Sequence, residues 1–318
     1  MTAKILAIDP RWRQPARIAF MREYLPAGCE LIIPDSFEPD RLVQEAQSAR
    51  VILGGQVPLS AELMAAAPHL CLIGKLGTGV DSIDIEAATR AGIPVAHAPG
   101  SLRATPVAEH AFTLLLMLCR RPWLWSSHTA MPLHVPLQGT MLGIIGLGNI
   151  GRRLAQRAAA FEMTILAYTR TRGKFQPAGF HVEETEKLDT LLTLADHIVL
   201  SLPLTPETHG FIGAQELALM KRSAFLINVS RGKHVITDDL VAALQAGHLA
   251  GAGLDVTEPE PLPESHPLRS LPNVVLSPHV AGQSEHVQRE SCKLLCESIR
   301  LALNGDRVQA IANPQIYH

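Results

Sequence analysis

Short apolar runs and amphipathic stretches alternate along almost the whole chain. Runs at 4–9, 30–33, 50–53, 71–74 and 94–97 have strand length, and apolar positions recur at helical spacing near 16–24, 39–48, 60–67 and 84–91 between them. Strands separated by helices predict parallel pairing through right-handed crossovers, hence an α/β sheet. The near-continuous "VIL" (51–53) and "CLIG" (71–74) suit a sheet covered on both faces. The alternation then pauses. Residues 105–119 predict a long buried helix with Pro106 in its first turn, and 120–138 predict an irregular connection. From 141 the pattern restarts, with strands at 141–146, 163–168, 196–201, 224–229, 250–254 and 274–276 and helices near 149–160, 188–194, 214–220 and 237–246. A last helix, 283–303, follows the second sheet and is expected to pack back on the first. The predicted fold is α/β, with two doubly wound parallel-sheet domains: residues 1–100 plus 284–318, and residues 101–283.

Composition narrows the function classes. Hydrophobic residues make up 47% and charged residues 18% of the 318, which permits two sizeable cores and argues against disorder. With a net charge of −2 and no long Lys/Arg block, neither a nucleic acid nor a membrane surface is an expected partner. The longest apolar run, 111–119, is far short of a membrane span, and "MTAKILAIDP" reads as a first strand and not a signal peptide. A cytoplasmic protein is expected. The five cysteines form no C-x-x-C and have no His or carboxylate cluster beside them, so reduced, mostly buried thiols are expected and no metal site.

The stretch "MLGIIGLGNIGRRLA" (141–155) carries Gly146, Gly148 and Gly151 as G-x-G-x-x-G between a predicted strand and a predicted helix, the context in which this spacing binds a dinucleotide. Gly146 allows the tight turn, Gly148 lets a pyrophosphate approach the backbone, and Gly151 allows close helix–strand packing. The N–H groups of Asn149 and Ile150 then open a helix, where an anion is favoured. About twenty residues on, the next strand normally ends in an acid that holds the adenosine ribose. Here Thr169 stands in that place, followed by Arg170, Arg172 and Lys174. Without the acid, a 2′-phosphate of roughly −1.5 to −2 charge is not repelled, and Arg170 and Arg172 are expected to neutralise it. NADP(H) is therefore expected in preference to NAD(H).

Four more segments fall at the ends of predicted strands, where open α/β sheets bind ligands: "KLGTGVDSID" (75–84), "NVSRGKHV" (228–235), "LDVTEPEP" (254–261) and "SPHVAG" (277–282). In order and spacing, with the fingerprint and "PLTPETHGFIG" (203–213), they resemble the D-2-hydroxyacid dehydrogenase family over about residues 50 to 290. The resemblance implies a Rossmann cofactor domain, a flavodoxin-like substrate domain and a homodimer. It also implies a hydride transfer between NADP(H) or NAD(H) and a small 2-hydroxyacid/2-oxoacid pair. It matches Arg231 to a substrate-binding arginine, His279 to the catalytic histidine, Glu260 to the carboxylate paired with it, and Asp255 to a supporting acid counted with the cofactor residues.

The chemistry needs these residue types. A 2-oxoacid receives a hydride at its carbonyl carbon and a proton at its oxygen. An imidazolium at His279 is a suitable acid beside Glu260, and the fork of Arg231 suits a carboxylate. Backbone N–H groups of Leu76 and Gly77 suit the other carboxylate oxygen. Two departures bear on the substrate. Gly55, Gln56 and Val57 stand where many members place an Arg or Ser, and Arg103 occupies a position that is often Asn, where it is expected to supply a substrate-facing cation. Glyoxylate or hydroxypyruvate reduction is the leading expectation, with NAD-dependent 3-phosphoglycerate oxidation second and formate oxidation disfavoured by Glu260. A nucleotide-sensing corepressor is the alternative from another class. His110 is expected to serve packing, and His209 and His234 have no expected role.

Overall fold

A computed structural model of the chain describes residues 2–125 and 133–317; the connection expected at 120–138 lies partly outside them. The chain divides into two compact units, one running to Leu102 and resuming at Gln283, the other Arg103–Gly282.

The first unit is built on a five-stranded sheet of β1 (Ala3–Ala7), β2 (Cys29–Ile32), β3 (Ala49–Gly54), β4 (Leu72–Lys75) and β5 (Val95–His97). Its order is β2-β1-β3-β4-β5 and all four pairings are parallel. The crossovers are α1 (Pro15–Tyr24), α2 (Pro39–Ala46), α3 (Ala61–Ala65) and α4 (Ile85–Arg90). Local chemistry sets these starts: the Ser60 hydroxyl accepts from Leu63 N, and Asp84 accepts from Ala87 N at 2.8 Å.

Helix α5 (Gly100–Arg120) corrects the sequence expectation. It begins before 105 and places Pro106 inside it, not in the first turn. Pro106 cannot donate to the carbonyl of Leu102, a cost of about 3 kcal/mol. Burial of Val107, Phe112, Leu114, Leu115 and Leu118 opposes it at ~1.5–3 kcal/mol for each large side chain. Burial wins. By length and composition α5 is the one described helix that would reach across a bilayer, yet half of that apolar window is buried within the protein.

The second unit carries β6 (Met141–Ile145), α6 (Asn149–Ala160), β7 (Thr164–Tyr168), β8 (Glu183–Thr185), α7 (Leu188–Leu194), β9 (His197–Leu200), α8 (Ala214–Leu219), β10 (Phe225–Asn228), α9 (Thr237–Gln245), β11 (Gly251–Leu254) and β12 (Val274–Leu276). The parallel sheet runs β12-β11-β10-β9-β6-β7-β8, so strand order reverses at β6, between β9 and β7. Alternate residues feed opposite faces: Ile144 joins Leu114, Leu118 and Leu154, while Ile145 joins Leu191, Leu200 and Leu240. The edge strand β8 was not expected from the sequence.

The last helix, α10 (Glu285–Asn304), belongs to the first unit. Its Cys292, Leu295, Cys296 and Ile299 share a core with Met21, Leu53 and Leu72. All five cysteines are free thiols. Burial pushes Cys119 up to about 11 and Cys296 up to about 12, which keeps both protonated and inert.

Candidate active site

The glycine loop lies at the end of β6, where strand order reverses, the place at which a doubly wound sheet offers a ligand crevice. Gly146 has φ +100°, and a Cβ on it would stand 2.6 Å from the Ser201 carbonyl oxygen. A Cβ on Gly151 would overlap the Gly146 carbonyl, so only glycine lets α6 start this close to β6. Gly148, in contrast, has nothing within 4 Å of where its Cβ would be. That open approach lies directly before the uncapped N-terminus of α6, where the N–H groups of Asn149, Ile150 and Gly151 precede the first helical bond, Arg152 N to Gly148 O at 3.0 Å. Two crowded glycines around one open one fit a pyrophosphate-bearing dinucleotide.

At the end of β7, Thr169 is half-buried and Arg170 exposed. Arg172 differs from expectation, because its guanidinium is ion-paired with Glu186 and so its charge already has a partner. Glu184 accepts from Gly173 N at 2.8 Å in the same turn. Arg170 is thus the cation nearest Thr169 in sequence that has no ion pair among the described residues.

The loop after β12 carries His279 in the left-handed region, φ +55°. Its N–H donates to the Asp255 carbonyl at 2.8 Å. The next two N–H groups reach the Asp255 carboxylate, Val280 to Oδ1 at 2.9 Å and Ala281 to Oδ2 at 3.0 Å. Ser277 Oγ donates to Oδ1 at 2.7 Å, and His110 Nε2 lies 2.7 Å from Ser277 Oγ and 3.4 Å from Oδ1. Burial pushes the Asp255 carboxyl up, but hydrogen bonds from His110, Ser277, Ala281 and Val280 outweigh it and hold the group below its ordinary value. With its side chain 1% exposed, Asp255 organises this loop from within. One expectation is corrected: His110 is a hydrogen-bonding partner rather than packing.

So held, His279 Nδ1 meets Glu260 Oε1 at 2.7 Å, both side chains partly exposed. The carboxylate takes Nδ1–H and turns Nε2 away from the pair. Glu260 comes from the loop after β11, and a neighbouring close approach fixes that loop: a Cβ on Gly232 would overlap the Thr257 carbonyl. The Arg231 loop therefore packs directly on the Glu260 loop. The Arg231 carbonyl accepts from Asn228 Nδ2 at 2.8 Å and its Nη1 donates to the Ser230 carbonyl at 2.7 Å. Fully buried His234 braces the same loop, with Nδ1 3.1 Å from Ser230 Oγ and Nε2 3.3 Å from the Pro203 carbonyl.

Leu76 and Gly77 lie in the first unit just past β4, Leu76 buried and Gly77 accepting from Ala98 N at 3.1 Å. Arg103 Nη1 donates to the Gly282 carbonyl at 2.9 Å, which fastens the loop after His279 to α5. Among the described residues no three His, Cys, Asp or Glu side chains gather as a metal site.

A glycine cradle at the sheet's switch point and a His–Glu pair on the same sheet's edge define a dinucleotide-dependent oxidoreductase. A sequence profile of the NAD-binding domain of D-isomer specific 2-hydroxyacid dehydrogenases matches residues 118–281. The chain is 36% identical to a glyoxylate reductase of Korarchaeum cryptofilum, over 94% of this chain and 96% of that one. It is 33% identical to a D-3-phosphoglycerate dehydrogenase of Methanocaldococcus jannaschii, over 98% of this chain but 59% of that one. An NADPH-dependent glyoxylate/hydroxypyruvate reductase of Sinorhizobium meliloti, solved with NADP and malonate, superposes with a TM-score of 0.83 at 30% identity, covering 99% and 98% of the two chains. The chain belongs to the D-isomer specific 2-hydroxyacid dehydrogenase family, and transfers hydride between a nicotinamide cofactor and a 2-hydroxyacid/2-oxoacid pair.

Proposed function

We propose that this chain reduces glyoxylate or hydroxypyruvate and prefers NADP(H) to NAD(H). The observation that carries the reading is the His279–Glu260 pair, fixed at 2.7 Å on a loop that Asp255 organises. With Nδ1–H given to Glu260, a protonated His279 offers Nε2–H to the carbonyl oxygen of the substrate. Arg231 holds the substrate carboxylate and polarises the carbonyl, and Leu76 and Gly77 are the substrate-binding residues we propose on the first unit. The cradle of Gly146, Gly148, Asn149, Ile150 and Gly151 would hold the pyrophosphate of the dinucleotide, whose reduced nicotinamide would supply the hydride. Arg103–Gly282 is then the cofactor domain and the other unit the substrate domain.

Thr169 in place of the ribose-binding acid, with Arg170 beside it, supports the NADP(H) preference. We read the protein as a cytoplasmic homodimer without nucleic-acid or membrane partners. The exposed Trp123, Trp125 and Val135 support a subunit contact at these three residues.

The test is His279→Gln. Loss of the acid should lower kcat for glyoxylate reduction by ~10²–10⁴-fold while nucleotide affinity stays within about threefold. Unchanged turnover with intact nucleotide binding would remove His279 from the reaction.

A further inference from the structure

His110 is a polar residue next to the site that the proposed chemistry leaves unused. It projects from α5, with its side chain 22% exposed, onto Ser277 on the loop after β12. The proton count fixes the direction of the bonds. An ionised Asp255 only accepts, so the single hydroxyl proton of Ser277 goes to Asp255 Oδ1 at 2.7 Å. Ser277 Oγ, its proton committed, accepts at 2.7 Å from His110 Nε2–H. The donors thus run one way, from His110 to Ser277 Oγ at 2.7 Å and more weakly to Asp255 Oδ1 itself at 3.4 Å, and from Ser277 to the carboxylate that collects the N–H groups of Val280 and Ala281.

We propose that His110 is a positioning residue for His279: by donating to Ser277 it fixes the Asp255 carboxylate, and so keeps His279 in the left-handed conformation that meets Glu260. The inference rests on the role proposed for His279. His110 touches neither His279 nor Glu260 through any described hydrogen bond; it acts through Ser277 and Asp255. Without Nε2–H the Ser277 hydroxyl loses the donor that orients it and turns toward other acceptors. The carboxylate then has one donor fewer, and the His279 turn that it anchors loosens.

The experiment compares the full chain as wild type, His110→Ala, His110→Gln, Ser277→Ala and the double variant His110→Ala/Ser277→Ala. Each is assayed for glyoxylate reduction with NADPH, for NADPH affinity by nucleotide fluorescence and for Tm, and the first three are crystallised. His110→Ala should lower kcat at least tenfold, with KM for glyoxylate and NADPH affinity within threefold. His110→Gln, whose amide N–H can still donate to Ser277, should recover most of that loss. Ser277→Ala should match His110→Ala, and the double variant should add little, as expected for residues in one chain of contacts. The crystal of His110→Ala should show Ser277 Oγ off Asp255 and the His279–Glu260 bond broken or lengthened. Unchanged kcat in His110→Ala, or fully additive losses, would overturn the proposal, as would a His279 loop that stays in place in that crystal. A wild type that reduces no 2-oxoacid would instead defeat the functional reading, and the crystals alone would then decide whether His110 positions the loop.

Discussion

At φ +55°, His279 occupies a backbone region that costs a non-glycine residue about 1–3 kcal/mol unless its surroundings hold it there. Here they do, through three successive N–H groups donated to Asp255, one to its carbonyl and two to its carboxylate. Asp255→Asn puts an amide NH₂ where those donors need an acceptor. It is expected to cost about 1–3 kcal/mol of stability, read by denaturant unfolding, and to lower kcat well beyond tenfold. A loss of stability without loss of kcat would separate the carboxylate from the His279 turn. The other residue-scale prediction concerns Arg170. Arg170→Ala should raise KM for NADPH several-fold and leave KM for NADH nearly unchanged; equal shifts for both would make Arg170 an ordinary surface charge. Arg172, partnered by Glu186, is expected to contribute less than Arg170 in the same assay. The His279–Glu260 pair lies 19 residues apart in one motif-rich stretch, so the sequence pointed to it. His110 and Ser277 lie 167 residues apart, and nothing local in either segment signals that they meet.

The elements follow from local physics where apolar alternation is strong. Strands such as β9, β10 and β11 are buried at every position, and their short apolar runs placed them within a residue or so at each end. The edge strand β8 was illegible because Glu183, Glu184 and Thr185 carry no apolar pattern; pairing with β7 alone makes it a strand. The start of α5 was hidden by Gly100 and Pro106, both poor helix formers that tertiary burial overrides. One element carries a pH prediction. His197, on β9, is 1% exposed, stacks on Phe225 with ring centroids 5.2 Å apart, and has neither ring nitrogen hydrogen-bonded among the described residues. Burial pushes its pKa from 6.5 down to about 4, against the raising influence of Asp196. The unfolded chain therefore takes up this proton first as pH falls. The contribution to stability is whole above about 6.5 and is lost progressively between there and about 4, a swing of ~3 kcal/mol. Denaturant unfolding of wild type and His197→Phe across that window should show the wild type losing this much more stability; parallel pH profiles would mean that His197 finds a partner when protonated.

At the scale of the whole molecule, both sheets are parallel and both reverse strand order, and what separates them is the loop at the reversal. The second sheet reverses at β6, where one open glycine between two crowded ones leaves a backbone approach for a pyrophosphate. The first sheet, ordered β2-β1-β3-β4-β5, carries Leu76 and Gly77 at the end of β4. Fold and family were legible from several motifs in fixed order. The substrate side chain was less so, because Gly55, Gln56 and Arg103 depart from the family pattern. The most direct measurement is kcat/KM for the reduction of glyoxylate and hydroxypyruvate with NADPH and with NADH, side by side on one preparation. Turnover of both oxoacids, with NADPH favoured at least tenfold over NADH, is the expected result. Nucleotide binding without turnover of either oxoacid would contradict the assignment of His279, Glu260 and Arg231, and turnover favouring NADH would contradict the role given to Thr169 and Arg170.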